Sequence, residues 1–179
     1  TTYPFPASAA QPDLIVGTEG AGDGQFLFPS DVAVAPNGDI FVGDRLRLDV
    51  QRFDSDGQFI ETIGKPLLTA SENDSNIMSG IDDTVISDPF EPGTFMSIDG
   101  IAVDSQGRLY IVDDEPQEVD RLELDGSWTT LKLTRQDYRI NGIAVDEFGN
   151  VFVAEINGYG GFFSIYDPTG TLLGRVGSY

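Results

Sequence analysis

Acidic residues recur at one position of a repeated pattern, and they are the side chains best suited to chemistry in this chain. Asp44, Asp113 and Glu155 each end the second apolar run of a similar phrase, and Asp114 follows Asp113. Carboxylates gathered on one rim could bind Ca²⁺, which takes about six to eight oxygen ligands. A carboxylate at a strand end can instead accept backbone N–H bonds as a structural cap, and the regular recurrence favours the cap.

Other catalytic arrangements find little support in the residue types. Asp82 with Asp83, and Asp113 with Asp114, could share a proton, but adjacent strand residues point to opposite faces. The chain has no Cys and no His, which excludes Ser/His/Asp and Cys/His catalysis, disulfides and His-dependent zinc chemistry. The sequence therefore predicts that the protein is not an enzyme and has no cofactor, with Ca²⁺ left open.

The carboxylates belong to a phrase that occurs three times, at residues 32–42, 101–111 and 143–153. Each copy has an apolar run, a turn ending in glycine and a second apolar run, which is typical of a β-hairpin. Asn37-Gly38 predicts a two-residue turn in which both residues take positive φ. A second hairpin follows each phrase, so each unit supplies four strands.

The spacing of the phrases indicates the architecture. They begin at residues 32, 101 and 143, so the interval is first 69 residues and then 42. A four-stranded unit of about 40 residues predicts a blade of an all-β propeller. We expect an N-terminal extension or strap at 1–12 and a propeller segment at 13–179. The units are expected at about 24–64, 93–133 and 135–177, with an inserted loop at about 65–92.

The first unit carries a family resemblance. GTEGAGDGQFLFP at 17–29, DVAV at 31–34 and FDSDGQF at 53–59 closely resemble the NHL repeat. The resemblance implies a β-propeller, typically of six blades, that mostly serves as a binding platform, with a few members that carry enzymatic metal sites. An arginine usual in the family is replaced here by Asp49 and Glu118, so binding properties that depend on it are not expected.

Three units are too few to close a propeller. The run at 14–17 resembles the ends of the units and predicts one extra N-terminal strand, giving a partial or open propeller of about three blades. Both end blades would then expose an apolar face. Two copies could close one ring, or successive copies could build a filament. A fragment of a longer chain is the alternative.

Composition limits the partners. The formal net charge is −20 at pH 7, so neither nucleic acid nor an anionic membrane is expected as a partner. No run of 18 apolar residues and no N-terminal leader is visible. This acidic composition suits an extracellular or cell-surface protein. Asn73 fits the N-glycosylation pattern with Asp74 and Ser75, which would apply to a secreted chain.

Aromatic residues in the third unit are the candidate contact surface. Tyr159, Phe162 and Phe163 lie in a glycine-rich stretch and are less easily assigned to the core than the other aromatics. The sequence thus predicts a non-catalytic module for protein–protein interaction or self-assembly, as a homo-oligomer or filament. The alternative is a Ca²⁺-dependent, lactonase-like propeller hydrolase. For that alternative, a possible ligand and its equivalents in the other units are Asn141, Ser30 and Asp99.

Overall fold

The chain folds entirely as β-sheet in the part that the computed structural model describes, namely residues 14–66, 91–113, 118–133, 139–157 and 160–177. Those ranges hold sixteen strands and no helix, so they also hold no helix that could cross a membrane. The all-β prediction is confirmed.

Three four-stranded antiparallel sheets form the body of the molecule, each in simple chain order. These sheets are the blades of a partial propeller, as the spacing predicted. Blade 1 consists of β3 (Pro29–Val34), β4 (Ile40–Asp44), β5 (Asp49–Phe53) and β6 (Phe59–Ile63). Blade 2 consists of β9 (Ile98–Val103), β10 (Leu109–Asp113), β11 (Glu118–Leu122) and β12 (Trp128–Leu131). Blade 3 consists of β13 (Arg139–Val145), β14 (Val151–Asn157), β15 (Gly160–Tyr166) and β16 (Leu172–Val176).

Two short parallel pairs complete the sheet structure and lead into blades 1 and 2. They are β1 (Thr18–Glu19) with β2 (Gln25–Phe26), and β7 (Lys65–Pro66) with β8 (Thr94–Phe95). Residues 14–17, predicted to form an extra strand, are not in a strand, and the pairing begins at Thr18. The predicted strap at 1–12 and most of the predicted loop at 65–92 lie outside the described residues.

The blades pack face to face in the order 1–2–3, with β9 of blade 2 against both β3 and β13. Because strand side chains alternate between faces, each blade has one face toward the preceding blade and one toward the following blade. Two apolar clusters result, one between blades 1 and 2 and one between blades 2 and 3. Tyr110 and Tyr166 are the largest side chains buried in the second cluster.

The same register positions build both clusters. The face of blade 1 that meets blade 2 carries Ala33, Phe41, Val50 and Ile63. The equivalent face of blade 2, which meets blade 3, carries Ala102, Tyr110, Val119 and Leu131. This repeat of packing positions makes the two interfaces directly comparable.

The hairpin turns differ in type from the prediction. In the first turn the Gly38 N–H donates to the Ala35 carbonyl at 2.9 Å, and the Ala35 N–H donates to Asp39. Among the described residues the only non-glycine with positive φ is Leu48, so Asn37 does not adopt it. Only Gly38, at φ 92°, takes the left-handed conformation. The turn is therefore a type I turn followed by a glycine bulge, not the predicted two-residue turn.

Candidate functional site

The predicted contact residues are not one cluster. Tyr159 lies outside the described residues, as does the predicted glycosylation residue Asn73. Phe162 and Phe163 are neighbours in β15 and therefore point to opposite faces of blade 3. The Arg175 guanidinium lies 5.5 Å from the centre of the Phe162 ring. Phe163 instead belongs to the outer face of the blade, opposite Val176 of β16.

The outer face of blade 3 is an open apolar surface. Its Phe163 and Val176 side chains are 40% and 54% exposed. The register shows that they occupy the positions of Val50 and Ile63 in blade 1, which are buried against blade 2. We call this surface face C, and it comprises Ala144, Phe152, Ala154, Phe163, Ile165 and Val176.

The face of blade 1 that points away from blade 2 is exposed to solvent along β3, the first strand of the blade. Val32 and Val34 of β3 are 60% and 63% exposed. The equivalent residues of blade 2, Ile101 and Val103, pack in the cluster between blades 1 and 2. We call this surface face A, and it comprises Val32, Val34, Ile40 and Val42. The outer part of the same face is covered, because Phe26 packs on Phe53 with ring centres 5.7 Å apart.

The strand-end carboxylate of blade 1 acts as a cap. Asp44 is fully buried, and its two oxygens accept N–H bonds from Leu27, Phe28, Leu46 and Arg47 at 2.7–3.0 Å. The carboxylate thus joins the start of the blade to the turn between β4 and β5. The predicted structural cap is confirmed at this position.

The equivalents of Asp44 divide between two roles. Asp113 accepts bonds from the Met96 and Ser97 N–H groups at 2.9 and 3.1 Å, so it also caps its blade. Glu155 is fully buried and accepts the Tyr166 hydroxyl at 3.0 Å. Its other oxygen has no hydrogen bond in the described ranges and lies 3.5 Å from the Arg175 guanidinium. Burial and the Glu155 charge raise the pKa of Tyr166.

Two of the three residues considered as Ca²⁺ ligands in the alternative, Asp99 and Ser30, have other partners. Asp99 pairs with Arg45 at 2.8 Å and accepts the Ser97 hydroxyl. The Ser30 hydroxyl donates to the Ile98 carbonyl at 3.0 Å and thereby joins blades 1 and 2. Asn141 is exposed. Within the described ranges no three acidic side chains are grouped to hold a metal ion, while Asp82, Asp83 and Asp114 lie outside them.

Buried polar residues of the third strand were missed by the sequence analysis. Gln51 is fully buried, accepts a bond from the Gly24 N–H at 2.7 Å and donates to the Gln25 carbonyl at 2.6 Å. Asp120, at the same position of blade 2, accepts the Gly93 N–H at 2.9 Å. Each side chain hydrogen-bonds the glycine that precedes its blade and so holds that segment against the third strand.

The pKa values of two aspartates of blade 1 shift in opposite directions. Hydrogen bonds from Arg52 hold the pKa of Asp39 below its usual value. Burial raises the pKa of Asp49, although Arg47 donates two bonds to its carboxylate at 3.0 and 2.8 Å. Asp49 stands where the resemblance implied an arginine, and Arg47 supplies a guanidinium two residues earlier.

Comparisons with known proteins identify the fold. No model of a protein family and no curated protein matches the sequence. A gluconolactonase from Xanthomonas campestris is 15% identical with a TM-score of 0.59, over 88% of this chain and 49% of that one. Virginiamycin B lyase from Staphylococcus aureus is 12% identical with a TM-score of 0.54, over 90% and 43%.

The structure of a nidogen/laminin complex also matches, at 18% identity and a TM-score of 0.54, over 82% of this chain and 48% of that one. These are β-propeller proteins, and the likeness confirms the propeller architecture. The chain spans 38–51% of the length of the solved structures compared with it.

The prediction that the protein is not an enzyme is wrong. It rested on the absence of His and Cys, yet the structures that share this architecture include gluconolactonases and a lyase. Acidic side chains, which this chain has in abundance, can bind a catalytic metal without either residue type. Missing residue types therefore do not exclude an activity.

Proposed function

We propose that the protein is an NHL-type propeller module that binds protein through faces A and C, and that its partner is another copy of the same chain. The motif at residues 17–29 supports the NHL assignment. An extracellular setting is part of the proposal and is supported by the acidic composition, with 30 Asp and Glu against 10 Lys and Arg. The matching nidogen/laminin structure, a complex of two proteins, supports a role in protein binding.

One observation carries the proposal: faces A and C repeat the two halves of an interface that the molecule already contains. Between blades 1 and 2, Ile101 packs in one cluster with Val50 and Ile63. Face A presents Val32 at the position of Ile101, and face C presents Phe163 and Val176 at the positions of Val50 and Ile63. The exposed inner part of face A in one copy therefore matches the Phe163 region of face C in another, while the outer part of face A is covered by Phe26 of its own copy.

This head-to-tail contact allows two assemblies. If the rotation between copies closes after two, six blades form one ring, and otherwise the copies form a filament. Either assembly removes exposed apolar side chains from water at both ends. Each square ångström of apolar surface buried contributes about 25 cal/mol before the cost of association.

A charge on either open face should disrupt the assembly. We expect Val34→Glu and Phe163→Glu each to raise the dissociation constant about 100-fold, because the contact would bury an unpaired carboxylate. Sedimentation equilibrium at micromolar concentration measures the effect, and circular dichroism checks the fold. Leu124→Glu, an exposed leucine of the middle blade, is the matched control and should leave association unchanged. Association that is insensitive to both face variants would contradict the proposal.

A Ca²⁺-dependent hydrolase is a second candidate, favoured by the likeness to a gluconolactonase at 15% identity. The structural likeness supports the same fold, and lactones are the substrates to try first. This candidate predicts that Ca²⁺ raises the melting temperature by several degrees relative to a chelator, since a ligand of the folded state stabilises it. It also predicts Ca²⁺-dependent hydrolysis of gluconolactone. An unchanged melting temperature and no hydrolysis would exclude this candidate.

A further inference from the structure

A cleft of about 470 Å³ lies between blades 1 and 2, at the edge that carries the hairpin turns. Its walls come from both blades, and it is open to solvent on one side. The apolar part of its lining includes Phe41 and Ile63 of blade 1 and Leu109 and Leu122 of blade 2. Its volume falls within the range of about 300–1,000 Å³ typical of ligand pockets.

The polar part of the lining is acidic. Three carboxylates, Asp39, Glu61 and Glu123, line the cleft with one guanidinium, that of Arg52. Arg52 donates two bonds to Asp39 and one to Glu61 at 2.9 Å, and it lies 5.6 Å from the Phe41 ring. Asp39 and Glu61 share Arg52, and Glu123 pairs with Arg121 at 2.6 Å. With a side chain 49% exposed, against 12% for Asp39 and 21% for Glu123, Glu61 is the most accessible of the three carboxylates.

The equivalent groove between blades 2 and 3 is bridged. Arg121 occupies the position of Arg52, and it donates to the Pro168 carbonyl of blade 3 at 3.1 Å. Gly170 of the same turn also lies close to Leu131 and Lys132 of blade 2, so the turn of blade 3 packs on its neighbour. In the groove between blades 1 and 2, Arg52 turns back to its own blade, and Leu124, at the position of Pro168, is 70% exposed. The cleft between blades 1 and 2 therefore lies where the arginine bonds its own blade, whereas Arg121 bonds the neighbouring blade.

We propose that this cleft binds peptide segments in which a basic residue adjoins an apolar residue. The apolar side chain packs on Phe41 and Leu109, and Leu124 covers it from the mouth. The basic side chain pairs with Glu61. The open side of the cleft lets a chain pass across it, and the net charge of −20 attracts basic partners over acidic ones.

This site is separate from the proposed assembly. Glu61 belongs to the face of blade 1 that meets blade 2, whereas faces A and C are the outer faces of blades 1 and 3. A variant at Glu61 therefore leaves both open faces intact. Failure of peptide binding would not affect the assembly proposal, and the reverse also holds.

The test is an NMR titration of the full 179-residue chain with acetyl-Leu-Arg-Leu-amide, with acetyl-Leu-Glu-Leu-amide as the acidic counterpart. We expect saturable shifts of the Gly107, Leu124 and Gly126 amides with the basic peptide only. Glu61→Gln should raise the dissociation constant about fivefold, the effect of one partly exposed ion pair. Glu147→Gln removes an exposed glutamate from a turn of blade 3 and should change nothing.

Three results would overturn the proposal. The first is the absence of saturable shifts at those three amides with millimolar basic peptide. The second is equal binding of the acidic peptide, which would show that Glu61 does not select the charge. The third is an affinity unchanged in Glu61→Gln, with the spectrum confirming that this variant is folded. Arginine amide alone should bind more weakly than the tripeptide, since it lacks the apolar side chains.

Discussion

Asp44→Ala is expected to lower the free energy of unfolding by about 4 kcal/mol. The substitution leaves four backbone N–H groups, those of Leu27, Phe28, Leu46 and Arg47, without their acceptor. Each buried donor left unpaired costs about 1–3 kcal/mol, and some of the loss is recovered as water reaches the turn. Chemical denaturation followed by circular dichroism measures the change.

Two controls separate this cap from other roles of a carboxylate. Asp44→Asn keeps one acceptor oxygen and should lose about half as much stability. Asp56→Ala removes an exposed aspartate from a turn of the same blade and should stay within about 0.5 kcal/mol. The loss in Asp44→Ala should be equal in Ca²⁺ and in chelator. A loss below about 1 kcal/mol, or one seen only in Ca²⁺, would contradict the cap.

Gly64→Ala is expected to cost about 3 kcal/mol of stability. Gly64 has φ 90°, and a Cβ there would overlap the ring of Phe95, which is fully buried. The cost combines about 1–2 kcal/mol for the left-handed backbone with about 1–3 kcal/mol for overpacking. Thermal and denaturant unfolding of the variant would give the value.

Gly126→Ala provides a matched control for the backbone contribution alone. Gly126 has φ 84°, but a Cβ there would have no atom within 4 Å. We expect a loss of about 1 kcal/mol, so the difference between the two variants isolates the overlap with Phe95. Equal losses in both variants would show that the junction between blades 1 and 2 is looser than the structure indicates.

The blades could be predicted from sequence because their signals are local and repeated. The apolar runs at 32–34 and 40–42 recur with identical spacing, and each alternation places side chains on defined faces. The turn type was predicted wrongly because Asn37-Gly38 favours a two-residue loop when considered alone. In the structure the Ala35–Asp39 bond closes a longer loop in which glycine alone needs positive φ.

The site was only partly predictable, because long-range partners leave no pattern in one sequence. Asp44 was recognised as a cap from its place at a strand end. The hydrogen bonds from Gln51 and Asp120 to the glycines that precede their blades were not predicted. The two residues differ in type, and their glycine partners lie 27 residues away. Phe163 was predicted as a contact residue together with Phe162, but the sequence did not show which face of the blade each occupies. The strand register places the two on opposite faces.

The contact between faces A and C can be tested most directly by crosslinking, since the chain has no native cysteine. Single-cysteine variants Val34→Cys and Phe163→Cys would be treated with a short bis-maleimide, separately and as an equimolar mixture. The account predicts a crosslinked dimer mainly in the mixture, containing one of each variant. Crosslinking within each variant alone, or none in the mixture at concentrations where the protein associates, would contradict it.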